Sequence, residues 1–226
     1  MELERGAWNF HVAGNSRKFC DWIRAAYRAP CVYLANLYYL EPERRPYLRA
    51  PFSGGTLRVG AFGATRPLKN FMSAAGAAID IATQLKADLE LWLSAGRMEG
   101  GSGILDAVRA MTAGLPYVKL VQSGWQSWPA FRTTVRHMHL LMQPSYTESF
   151  NMVTADGVAE GVPSVVSSAI DWAPERWKAS VDDVRDIARV GRYLLADAHA
   201  PADGLRALAQ HNRDGLDAWK NFLAAP

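Results

Sequence analysis

The sequence predicts an α/β protein whose parallel sheet is covered by helices on both faces, and three observations carry that expectation. After Pro51, short runs of strand character alternate with longer runs of helical period. The strand-like runs recur at intervals of ~30 residues, the length of a strand, a crossover helix and a return strand. Several are apolar on both faces, as at Leu140-Leu141-Met142, which suits strands held between two helix layers.

Residues 1–40 read as a small partial β-α-β unit. Its strands run from Trp8 to Ala13 and from Cys31 to Ala35, with Phe19, Trp22, Ile23, Ala26 and Tyr27 at helical spacing between them. Such a piece is too small for a core of its own, so it must be covered by the C-terminal helix or by another chain. Residues 41–56 read as a linker. There Arg44, Arg45 and Arg49 lie among Pro42, Pro46 and Pro51 beside Glu41 and Glu43, which is the composition of a solvated connection.

Residues 57–226 form the main domain. Its predicted strands are Leu57 to Phe62, Leu89 to Ser94, Tyr117 to Val121, Met138 to Met142 and Ser164 to Ser167. Phe71, Ala74, Ala75, Ala78, Ile79 and Ala82 make one helical stripe after Asn70, a residue suited to an N-cap. Ile104, Leu105, Val108 and Met111 make a second, ended by Gly114-Leu115-Pro116. Ser180 with Asp183 has the form of a capping box opening a helix through Leu195. Leu205, Leu208, Leu216, Trp219 and Leu223 mark the last helix. These stripes are core and carry no chemistry.

The composition narrows the function. A formal net charge of +3, with 49% hydrophobic and 21% charged residues, describes a folded protein without the basic excess of a nucleic-acid binder. Cys20 and Cys31 have no zinc spacing, no stretch has signal-peptide form, and none reaches the ~20 apolar residues of a membrane span. A reducing, cytoplasmic setting is expected. His137 and His139 alternate as on one strand face, but no third metal ligand accompanies them, and the lone His11 gives no ground for a general base.

The informative stretch is Gln143-Pro-Ser-Tyr-Thr-Glu148-Ser-Phe-Asn-Met-Val-Thr-Ala-Asp156-Gly-Val-Ala-Glu-Gly161-Val-Pro163. A buried strand ends at Met142, then comes a polar loop, and a helix from about Asn151 to Glu160 is closed by Gly161. Ligands of open α/β sheets bind at the C-terminal strand ends, where a helix N-terminus favours phosphate. A second constellation, Gly60-Ala-Phe-Gly63-Ala-Thr-Arg66-Pro-Leu-Lys69-Asn70, places two cations between a strand end and a helix. Its GxxG spacing differs from the GxGxxG of a dinucleotide loop, and Ser94-Ala95-Gly96 lacks the acid that would hold a ribose.

The first stretch resembles the signature of glycosyltransferase family 4. There Pro-Ser precedes a Glu, a second acid stands after seven residues, and a Gly-x-Pro-x-Val strand comes next. The resemblance implies the C-terminal, donor-binding Rossmann-like half of a GT-B fold. It assigns Glu148 to the donor sugar, the amides of Phe150, Asn151 and Met152 to sugar and diphosphate, and Asp156 to the ribose. Arg66 and Lys69, beside Gly63, fall where the family clamps the diphosphate, and Gly124 and Trp125 where it places the base. Trp125 is as readily structural as base-stacking. Asp156 stands where Glu is usual and Asn151 where many members have Gly. Val32 to Asn36 resembles the end of an N-terminal domain, most of which is missing.

The reaction implied by this resemblance is a retaining transfer of a hexosyl unit from a nucleoside diphosphate sugar, UDP- or GDP-linked, to an unknown acceptor. Glu148, Arg66 and Lys69 are its catalytic candidates, and no metal or other cofactor is required. The acceptor surface is expected from a second copy, a partner chain or residues 1–50, with a homo-oligomer as one outcome. A non-catalytic nucleotide-sugar-binding module is the alternative. A purely structural remnant fits less well with intact Arg66, Lys69 and Glu148.

Overall fold

Five parallel strands form the main sheet, and each begins where β-branched and aliphatic residues replace a turn. They are β3 (Thr56–Ala61), β4 (Asp88–Ser94), β5 (Val118–Ser123), β6 (Leu140–Gln143) and β7 (Ser164–Val166), numbered after β1 (Ala13–Gly14) and β2 (Val32–Tyr33). The computed structural model describes residues 11–41, 49–100 and 102–224. Trp8 to Phe10 of the expected first strand and Arg44 and Arg45 of the expected linker lie outside them. The described residues divide into two compact units, one of residues up to Tyr38 with those from Gln210 onward, the other from Tyr39 to Ala209.

In the larger unit the strand order is β5-β4-β3-β6-β7, all parallel. The helices between and after the strands are α2 (Phe71–Leu85), α3 (Ser102–Thr112), α4 (Trp128–Arg136), α5 (Met152–Ala159) and α6 (Val184–Ala196). Along β6 every residue is buried, as expected for a strand between two layers. Leu140 and Met142 face the α2–α6 side, where Gly191 of α6 brings its backbone close to Ile81 and Leu140. Leu141 faces the other side and packs with Phe62, Val135, Met138 and Val162. Gly157 fits α5 onto that face, since a Cβ there would stand 2.6 Å from Leu141 Cδ1.

Several local details depart from expectation. Asn70 occupies the N-cap of α2 but in the left-handed region, φ 57°, and its amide does not cap. It donates instead to the carbonyls of Pro144 (3.2 Å) and Val181 (2.9 Å), tying two distant loops to α2. The cap of α6 is Asp183, whose carboxylate accepts from Arg185 N and Asp186 N, while Asp186 reaches back to Ser180 N. The box is therefore shifted one turn, because Asp is a stronger acceptor than Ser at the position where the turn closes. Helix α4 answers no periodic stripe in the sequence reading. Its Thr133, Thr134 and Val135 read as strand, yet Pro129 in the first turn and the packing of Phe131 and Val135 on the core make it helical.

His137 and His139 do not share a strand. His137 is the C-cap of α4, and His139 precedes β6, its Nδ1 accepting from Arg58 N at 2.9 Å. Burial first, then the charges of Arg49 and Arg58, push the His139 pKa down to about 4. Arg49 is no solvated linker cation, since its guanidinium donates to the carbonyls of Met138 (2.5 Å) and Gly161 (3.5 Å). Because the folded His139 pKa lies below the ordinary ~6.5 of an unfolded chain, protonation favours unfolding. The stabilisation is whole above pH ~6.5 and is lost as pH falls from there toward about 4. Urea midpoints should fall more steeply between pH 7.5 and 4.5 for the parent than for His139→Asn, and equal slopes would refute this.

In the smaller unit β1 pairs in parallel with β2, joined by α1 (Arg17–Tyr27), which Ser16 caps through Phe19 N. Helix α7 (Ala200–Ala224) contributes its turns from Gln210 on. These cover the chain after β2. Asn212 exchanges two hydrogen bonds with the backbone of Tyr38 (3.0 and 2.7 Å), and Trp219 Nε1 donates to Ala35 O at 3.0 Å. Side chains here satisfy backbone groups that a further strand would otherwise pair. Cys20 and Cys31 are buried free thiols, and burial together with Cys31 pushes the Cys20 thiol up to about 11. No described helix is long and apolar enough to cross a membrane.

Candidate functional site

The strand order has a reversal between β3 and β6. From β3 the chain winds outward through β4 and β5, then returns to lay β6 on the other side of β3. Loops leaving the C-terminal ends of these two strands diverge and leave a crevice, the usual ligand position in open α/β sheets. Both sequence constellations lie there, Gly63 to Asn70 after β3 and Pro144 to Asn151 after β6.

Lys69 and Glu148 meet across the crevice, Nζ to Oε1 at 2.5 Å, with side chains only 10% and 7% exposed. Gly63 makes room for the lysine stem. Its φ is 121°, and a Cβ there would already touch Lys69 Cε at 3.5 Å. Glu148 Oε1 also accepts from Asn151 Nδ2 (2.9 Å), which donates as well to Gln143 Oε1 (3.0 Å). Gln143 in turn donates to Phe62 O at 3.1 Å, so a buried amide relay fixes the carboxylate relative to the end of β3.

Asn151 is the N-cap of α5, with φ 67° and Oδ1 accepting from Thr154 N at 2.8 Å. A single asparagine therefore supplies the left-handed turn, the cap and an orienting donor to Glu148, which a glycine would not. Phe150 is a wall of the core, stacked on Trp172 with centroids 5.4 Å apart, and its carbonyl accepts from Trp172 Nε1 at 2.6 Å. Met152 is half exposed at the start of α5.

Arg66 stands before the turn Pro67–Lys69, its Nη1 3.6 Å from Glu99 Oε2, and its Nε is buried with no hydrogen-bond partner. An unmet guanidinium donor beside a crevice is costly unless an acceptor enters. Ser145 Oγ and Thr154 Oγ1 are likewise buried and unpartnered. Gly124 and Trp125 form the loop after β5. Trp125 is 77% exposed, and its backbone approaches Gly96 so closely that a Cβ there would lie 2.3 Å from Trp125 N.

Asp156 is buried on α5 and its Oδ1 accepts from Trp128 Nε1 at 2.9 Å. One turn on in each helix, Glu160 accepts from Arg132 Nε (2.6 Å) and Arg136 Nε (2.7 Å), and Arg132 lies over the Trp128 ring. The sequence reading missed this ladder, along with Gln143 and Asn70. The i, i+4 spacing of Trp128, Arg132 and Arg136 against Asp156 and Glu160 was its one available signal. Among the described residues no group of His, Cys, Asp and Glu forms a metal cluster.

Fold and crevice together define a Rossmann-like domain of the kind found in GT-B glycosyltransferases. Solved structures of such enzymes match the chain at low identity. A mutant of S. aureus TarM, in complex with fondaparinux, α-GlcNAc-glycerol and UDP, is 12% identical with a TM-score of 0.70, over 95% of this chain and 44% of that one. A UDP-forming α,α-trehalose-phosphate synthase from Burkholderia xenovorans is 11% identical with a TM-score of 0.61, over 95% and 62%. The C-terminal domain of a group 1 glycosyl transferase (LpcC) from Francisella tularensis is 16% identical with a TM-score of 0.56, over 77% and 95%. The chain thus spans less than half the length of the TarM chain. No family model and no curated protein matches it.

Proposed function

We propose that the chain is the donor-binding half of a retaining hexosyltransferase resembling glycosyltransferase family 4, with residues 57–226 as the nucleotide-sugar-binding domain. The observation that carries this reading is the meeting of Lys69 and Glu148 at 2.5 Å, in the crevice between β3 and β6, beside the N-terminus of α5.

In this reading the diphosphate of a UDP- or GDP-sugar takes Glu148's place against Lys69 and satisfies the buried Nε of Arg66. Glu148, released but still steered by Asn151, accepts hydrogen bonds from the sugar hydroxyls. Asp156, held by Trp128, receives the ribose hydroxyls. As the bond from the anomeric carbon to the β-phosphate oxygen breaks, the electron pair leaves with the diphosphate, and the two cations with the helix dipole stabilise it. The acceptor hydroxyl forms the new bond and gives up its proton. A second copy or a separate chain supplies the acceptor surface.

Calorimetric titration with UDP- and GDP-sugars tests the binding claim, and release of nucleoside diphosphate from bound donor, with and without candidate acceptors, tests turnover. Saturable binding of one nucleotide series is expected. No binding of either would overturn the site, and binding without release or transfer would leave a binding module.

A further inference from the structure

Helix α1 in the smaller unit buries little of itself. Of its residues only Cys20 is buried, whereas Phe19, Trp22 and Tyr27 are 44%, 52% and 65% exposed. The three rings form one patch, since Trp22 lies 6.0 Å from Phe19 and 5.4 Å from Tyr27. At 100° per residue, Trp22, Ala26, Phe19 and Ile23 share one stripe. Arg17, Lys18, Arg24 and Arg28 fall on its flanks. The only acid of the helix, Asp21, is paired with Arg24 at 2.9 Å. Arg24 also donates to Cys31 O at 2.5 Å, and Arg17 lies over the Tyr33 ring at 4.3 Å, so the helix is fastened to β2 and presents the stripe outward.

A helix that serves only a core turns its aromatic stripe inward and leaves cations alone on the outside. Here both lie outside, and an occupant must offer an apolar interior and diffuse negative charge together. We propose that α1 is a docking helix for an anionic lipid surface, lying in the plane of the headgroups. Its rings enter the acyl boundary, and its four cations against one carboxylate meet the anionic headgroups. Exposed aromatic patches on protein interfaces seldom carry such a one-signed cationic rim without an acidic partner surface.

Vesicle flotation tests this with the full chain, using phosphatidylcholine vesicles with and without about a third phosphatidylglycerol. Binding to the anionic vesicles only, reversed by high salt, is expected. Lys18→Glu with Arg28→Glu should weaken it by about 25-fold or more, taking each removed cation as about fivefold. Phe19→Ser with Trp22→Ser should weaken binding even at low salt. All four positions are exposed, so circular dichroism should be unchanged in both double variants. Equal binding to neutral vesicles, or no binding by folded parent protein, would overturn the proposal. If the parent ignores vesicles but self-associates in light scattering, and the Phe19/Trp22 variant does not, the face belongs to a second copy and the lipid assignment falls.

Discussion

Replacing Lys69 by alanine is expected to weaken nucleotide-sugar binding by about a hundredfold or more, the effect of removing a charge-assisted contact from a water-poor crevice. The same change leaves Glu148 almost fully buried without its cation, so the melting temperature should fall as well. Glu148→Gln separates the two roles. An amide still accepts from Lys69 but carries no charge to compete with phosphate, so UDP alone should bind as well as before or better. The extra affinity conferred by the sugar should disappear. Calorimetry of UDP and UDP-sugar with both variants gives the comparison, and the GDP series substitutes if that is what the parent binds. Donor affinity unchanged in Lys69→Ala would remove the crevice from the mechanism. Equal losses of UDP and UDP-sugar binding in Glu148→Gln would remove the carboxylate's sugar role.

The second large effect concerns stability. Glu160 has a side chain only 1% exposed and holds two arginines, of which Arg132 is 18% and Arg136 64% exposed. Glu160→Ala leaves Arg132 partly buried without a counter-charge, and about 3 kcal/mol of unfolding free energy should be lost in urea titrations. Arg136→Ala, removing the wet partner, should cost no more than about 1 kcal/mol. The asymmetry is the diagnostic, because a pair that merely decorates the surface would give small, equal losses. Similar small values for both variants would show that α4 is held by its apolar face alone. Since Trp128 sits one turn away on the same helix, Glu160→Ala should also reduce donor affinity if Asp156 contributes to it.

The fold was legible wherever local pattern and tertiary environment agree. Leu89, Leu91 and Leu93 on β4, or the unbroken Leu140-Leu141-Met142 on β6, read as strands because their burial reflects the sheet's own period. The pairing of Lys69 with Glu148 came through the glycine, acid and cation pattern. The alternation of residues would never have joined positions 79 apart. Other features had no local trace. Nothing in Gln122 to Trp128 distinguishes exposed Trp125 from Trp128, whose indole N–H is donated to Asp156. Asn70 looked like a cap and is a cross-link between loops, because its left-handed backbone turns the amide away from α2. Arg49 looked like linker charge and proved to be a donor to two core carbonyls, because the chain after it folds back against β6 and Gly161.

The strand order also governs how the protein is made. β3 pairs early with β4, its neighbour in sequence, but its other edge stays open until β6 is available, since Val59 and Gly60 pair with Leu140 and Leu141. Until then a nascent chain carries an apolar parallel edge with no partner, the kind of surface that recruits other chains or a chaperone. Closing so long a loop is slow, because its entropy is lost before the compensating contacts form. The crevice is completed in the same late step, so binding competence and escape from aggregation arrive together.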